Sequence, residues 1–152
     1  MQSRIPLVQY AQLLVRLGLG AAFLSAVADR FGFWGPPGTG GVAWGDFEHF
    51  TAYTRTITWF APAALTPLLA WFATGGEALF GALLLLGYRT RETALASSAL
   101  LMTFALSMSV SSPGLHGALA YSVVSAAGGA LLLATVPEPA WSFDSLTRSA
   151  ES

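Results

Sequence analysis

Residues 59–88 read WFAPAALTPLLAWFATGGEALFGALLLLGY, thirty positions in which Glu77 is the one charged side chain. A helix needs about 20 apolar residues to cross a hydrocarbon core of roughly 30 Å. The stretch therefore predicts a membrane span with a carboxylate inside it. Three further segments have the required length and composition: Leu7 to Trp34, interrupted by Arg16 and by Asp29-Arg30, then Thr93 to Ser112, then Leu115 to Val136. The last two carry no charge, so function is sought in the first two, where ionisable residues lie at membrane depth.

Composition agrees. Of 152 residues 54% are hydrophobic and 10% charged, against roughly 25% charged in a soluble domain. Eight acids and seven bases are too few to cover a water-facing surface. The expected fold is all-α: one domain over residues 1–152, a transmembrane four-helix bundle with spans at 7–34, 59–88, 93–112 and 115–136. No cysteine is present, which excludes thiolate nucleophiles and Cys-ligated metals. A net charge of −1 offers no basic patch for nucleic acid. His49 and His116 show no ligand spacing, so no metal site is expected, and the first span is too long for the core of a cleavable leader.

The one long connection, Gly35 to Thr58, opens on GPPGTGG at 35–41, which cannot be regular helix. Beyond it aromatic residues stand at 44, 47, 50 and 53, roughly one helical face. That spacing predicts a short interfacial helix between the first two spans, acting as a cap on the bundle or as a ligand lid. Ser111-Ser112-Pro113-Gly114 is a turn signal, Pro137-Glu138-Pro139 stops the last helix, and the final dozen residues are expected to be polar and loose. Arg4, Arg89, Arg91 and Arg148 fall on one side of the bundle. By the positive-inside rule both termini are then cytoplasmic, in a bacterial inner membrane.

Depth decides which buried charges can meet. Arg16 lies nine residues into its span and Glu77 eleven before Tyr88, roughly 13 Å and 16 Å from the same side at about 1.5 Å per residue. An Arg16–Glu77 pair is thus the expected escape from the cost of an unpaired charge in the membrane, about 2.5–3.5 kcal/mol on insertion scales. Gly18, Gly20, Gly75, Gly76 and Gly81 would let the helices approach. The pair is either a structural latch or the wall of a polar pocket. Asp29 and Arg30 lie near the outer interface about 100° apart on the helix, so one is expected to look inward and one outward. Thr103, Ser107 and Ser111 form a polar stripe that suits back-bonding and helix contacts, with a pathway lining as the alternative, and Gly128-Gly129 reads as a packing notch.

Several stretches resemble one family. Arg16 to Leu24 is RLGLGAAFL, followed by Asp29-Arg30-Phe31. Glu77 to Arg91 is EALFGALLLLGYRTR, His116 to Ser122 is HGALAYS, and Pro139 to Asp144 is PAWSFD. Together they resemble the DoxX family of small four-helix membrane proteins over nearly the whole chain. The resemblance implies association with a quinone-linked redox pathway, with Arg16 and Glu77 at the family's charged positions and Arg30 replacing a base at the end of the first helix. The leading expectation is a small subunit that binds a quinone or other lipophilic ligand at Arg16, Glu77, Asp29 and Arg30. Glu77 would relay a proton and Arg16 would hold the head group. With no redox centre of its own, the chain would serve an oxidoreductase through a protein partner or a second copy in the membrane. A non-catalytic assembly subunit and a small oligomeric transporter component are the rival readings.

Overall fold

A computed structural model describes residues 5–111, 114–136 and 141–149. The described residues are helical, without strands: α1 Ile5–Arg30, α2 Phe47–Ile57, a 3-10 turn Ala63–Leu65, α3 Thr66–Leu86, α4 Thr90–Ser109, α5 Leu115–Ala120, α6 Val123–Thr135 and α7 Phe143–Ser149. The all-α bundle with a loop helix after its first rod is the expected one. The turn at Ser112-Pro113 and the stop at Pro137-Glu138-Pro139 lie outside the described residues.

Three differences from expectation have local reasons. The second rod begins at Thr66 rather than Trp59, because Pro62 and Pro67 admit no regular hydrogen bonding before the first turn. The fourth rod is not continuous. Its chain leaves the helix at Tyr121 and Ser122, where Ser122 adopts the left-handed conformation (φ 55°), and resumes as α6. The close of the chain, expected to be loose, instead carries α7.

Two helices, Leu7–Arg30 and Ala63–Leu86, are long and apolar enough to cross a membrane. Large apolar residues on their outer faces, among them Leu14, Leu68, Phe72 and Leu79, are exposed, as expected of side chains that meet lipid. The rods form two pairs: α1 lies chiefly against α3, and α4 chiefly against α6. Glycines set the first contact. A Cβ at Gly81 would come within 3.0 Å of Leu24 and 3.1 Å of Phe23, and one at Gly20 within 3.0 Å of the Gly81 carbonyl. Gly18 and Gly75 face open space instead. In the second pair, Ser98 Oγ donates to the Ala127 carbonyl at 2.9 Å, an interhelical bond of the kind membrane bundles use. The expected notch there is half present: Gly129 meets Val15 of α1, while Gly128 faces open space. Phe23, Leu84, Leu101 and Leu133 join the pairs in a common core.

Candidate functional site

The α1–α3 contact fixes which charges can meet. Arg16 packs beside Gly87 at the C-terminal end of α3 and donates from Nη2 to the Trp141 carbonyl at 2.6 Å. Glu77 is ten positions up that helix, about 15 Å along the axis. The expected Arg16–Glu77 pair is therefore not formed. The depth estimate placed Leu7 and Tyr88 at one level, whereas α1 runs on past the end of α3, and Trp141 meets this lower part at Tyr10 and Arg16.

Glu77 pairs with Arg30. Arg30 Nη2 lies 2.5 Å from Glu77 Oε2, and both side chains are buried. Helical side chains lean toward the N-terminus of their helix, so Arg30 reaches back from the last turn of α1 to the level of the carboxylate. Thr74, three residues before Glu77 on the same face of α3, completes the seat: its Oγ1 accepts from Arg30 Nη1 at 2.9 Å and donates to the Ala70 carbonyl. The Phe50 ring covers the guanidinium, with its centroid 3.6 Å from Cζ, and Trp44 stands at 5.2 Å. Such cation–π contacts are worth about 2 kcal/mol or more when desolvated.

Asp29 and Arg30 are both buried, against the expectation that one would face outward. Asp29 Oδ2 accepts from the backbone N–H groups of Ala43 and Trp44, at 3.0 and 2.9 Å. This ties the glycine-rich loop to the end of α1 and brings Trp44 over Arg30. Gly45 (φ 74°) makes the fold-back possible, because a Cβ there would strike the Pro36–Pro37 peptide. The loop then enters α2, whose first turn is capped by Asp46: Oδ1 accepts from His49 N at 2.8 Å. That backbone hydrogen bond, with a second from the His49 side chain, holds the Asp46 carboxyl below its ordinary range. The aromatic face predicted at 44, 47, 50 and 53 turns inward, with Phe50, Thr54 and Ile57 buried.

Beneath α2 and between the two helix pairs lies a cavity of about 710 Å³, within the range of small-ligand pockets. Its walls are mostly apolar, including Phe23, Phe80, Phe104, Leu101 and Met108, and Arg30 and Glu77 form its charged part. Tyr53, Tyr121 and the Thr103 and Ser107 hydroxyls also line it. Thr103 is occupied by back-bonding to Ala99, the first of the roles expected of the polar stripe. Burial pushes the Tyr53 phenol above its usual range. Among the described residues no group of three or more His, Asp or Glu is placed to hold a metal ion.

Thr74, Phe50 and Trp44 were not legible as a seat for Arg30. The three-residue spacing of Thr74 and Glu77 and the aromatic face of α2 were the signals present. Another long-range polar contact was missed: Asp144 at the start of α7 accepts from Arg89 N and Thr90 N, at 2.7 and 2.8 Å, and so caps α4 from a distant part of the chain.

A family model described as methylamine utilisation protein MauE matches residues 8–116, which hold α1 from Val8 onward, α2 to α4 and every residue of the Arg30–Glu77 seat. No curated protein and no solved structure matches the chain. The match names MauE rather than DoxX, and it covers well over half of the sequence. With two helices able to cross a bilayer and a buried ion pair between them, this small membrane protein belongs to the MauE family.

Proposed function

We propose that the protein is a membrane accessory subunit that holds a quinone or another lipophilic ligand in the cavity under α2, with its head group at Arg30 and Glu77. The observation that carries this reading is the cavity itself: about 710 Å³ of mostly apolar space with an ion pair in its wall. A structural latch alone predicts tight packing around Glu77, and an open space there weighs against it. Arg30 takes the role expected of Arg16, holding the carboxylate in place, and Glu77 is positioned to pass a proton to or from a bound head group. Arg16 belongs to the seat of the C-terminal segment. Asp29 acts through the loop that it ties down.

In this reading the chain is a single multi-pass domain of a bacterial inner membrane, with its termini on the cytoplasmic side. It works beside a protein partner in a redox pathway, as the DoxX resemblance implies. The family's name supports a place in methylamine utilisation. The test is the lipid content of protein purified in mild detergent. Mass spectrometry is expected to find a stoichiometric lipophilic compound in the wild type, and Ala126→Trp, which fills the cavity from α6, is expected to remove it. Equal lipid content in both proteins overturns the reading.

A further inference from the structure

The cavity is closed at its ends and open at its sides. α2 lies across one end with Phe50, Thr54 and Ile57 buried, and the common core around Leu84, Leu101 and Leu133 fills the bundle at the other. Between α3 and α4 the wall gives way. Phe72, Ala99 and Thr103 all line the cavity, yet Phe72 is 73% exposed and Ala99 and Thr103 are exposed as well. A side chain does both only where a cavity reaches the surface. The seam closes at Gly76, where a Cβ would come within 3.3 Å of Leu100, and Phe72 and Thr103 stand on the α2 side of that contact. Phe72 is six residues from the start of α3 and Thr103 six from the end of α4, each about 9 Å from that end of the bundle. That depth falls within one leaflet of a hydrocarbon core roughly 30 Å thick.

We propose that this opening is a lateral window: the ligand enters from the leaflet on the α2 side, and its chain stays in the bilayer by passing out between Phe72 and Thr103. This rests on the ligand reading above and adds to it a ligand class, lipids whose chains are too long for the cavity to enclose, and their route. The Thr103 hydroxyl is satisfied within its own helix by the Ala99 carbonyl, so a hydrocarbon chain passing it leaves no polar group unpaired. The cavity also reaches the surface between α1 and α6, where Ala22 is exposed and Tyr121 is 67% exposed. That side suits a chain poorly. The rod is broken there at Tyr121 and Ser122, and α6 begins without a side-chain cap. Its first amides therefore have no helical acceptor, and irregular backbone of this kind is not left facing hydrocarbon.

The test measures binding to the full chain in mild detergent by native mass spectrometry, with two probes that share one head group: decylubiquinone, and ubiquinone with a solanesyl chain, which is too large to be enclosed. Both are expected to bind. Thr103→Trp, which sets a bulky ring in the window, is expected to weaken the solanesyl probe at least tenfold and the decyl probe by no more than about threefold. Leu106→Trp, at an exposed position of α4 that does not line the cavity, is expected to change neither. In the wild type, decylubiquinone carrying a diazirine at the end of its chain is expected to label α3 and α4 beside Phe72 and Thr103 on illumination. Label at Ala22 or Tyr121 instead, or a solanesyl probe that fails to bind or is indifferent to Thr103→Trp, overturns the window. The cavity reading still stands in those cases if decylubiquinone binds the wild type and is lost in Ala126→Trp. Failure of both probes to bind overturns both.

Discussion

Arg30 and Glu77 meet across antiparallel helices at 2.5 Å, although 47 residues separate them in sequence and one stands in the last turn of α1 while the other is midway along α3. Removing one partner of such a buried pair costs more than the pair contributes, because the remaining charge has no solvent to return to. Glu77→Ala is therefore expected to destabilise the protein by about 3–5 kcal/mol. Replacing both residues by Met should leave stability near or above that of the wild type. Thermal unfolding in detergent compares the two, and a double variant as unstable as Glu77→Ala would contradict the account.

Asp29 is the tether of the loop. Asp29→Ala removes two charge-assisted hydrogen bonds to Ala43 N and Trp44 N, each worth about 1.5–3 kcal/mol. The expected outcome is local: amide exchange at Ala43 and Trp44 accelerates and the aromatic cover over Arg30 loosens, while the α4–α6 pair keeps its protection. Hydrogen exchange read by residue checks this, and unchanged protection at both amides would refute it.

Two glycines should respond in opposite directions to the same change. Gly87 ends α3 in the left-handed conformation (φ 66°), and a Cβ there would strike Arg16 Nη1 and Ser142. Left-handed backbone alone costs an alanine about 1–2 kcal/mol, so Gly87→Ala is expected to destabilise by more than about 2 kcal/mol and to expose α7 to protease. Gly18 sits within α1 with nothing near its missing Cβ, and Gly18→Ala should stabilise by about 0.5–1 kcal/mol. Unfolding midpoints of the two variants decide it.

Acid should release α2 before the bundle. The Asp46 carboxyl is held below its ordinary range, first by the His49 backbone N–H and then by the His49 ring. A depressed folded-state value means that its contribution is complete above the unfolded value of about 3.9. It is lost as the pH falls from there through the lower, folded value. Trp44 fluorescence is expected to change in that window in the wild type, and Asp46→Asn should flatten the response.

Much of this was legible from local signals. Hydropathy over Leu7–Trp34 and residues 59–88 marked the long apolar rods, because the cost of burying charge in lipid is written into any stretch of about 20 residues. The spacing of Trp44, Phe47, Phe50 and Tyr53 marked α2 for a similar reason: a helical face is a property of neighbours in sequence. The same local reading singled out Arg16 and Glu77 as buried charges, and both are buried, but it turned one of Asp29 and Arg30 outward where both are buried. It could not foresee the left-handed turn at Ser122, which no glycine or proline announces.

Pairing was decided elsewhere. Which arginine reaches Glu77 depends on how far α1 slides along α3, and that offset is set where Gly20 and Gly81 let the two backbones close, not by the distance of each charge from the end of its own span. Only the packed structure contains that offset. It gives Arg30 to the carboxylate and leaves Arg16 to the C-terminal segment, because side-chain reach is a few ångströms and a slip of ten residues in register is about 15 Å.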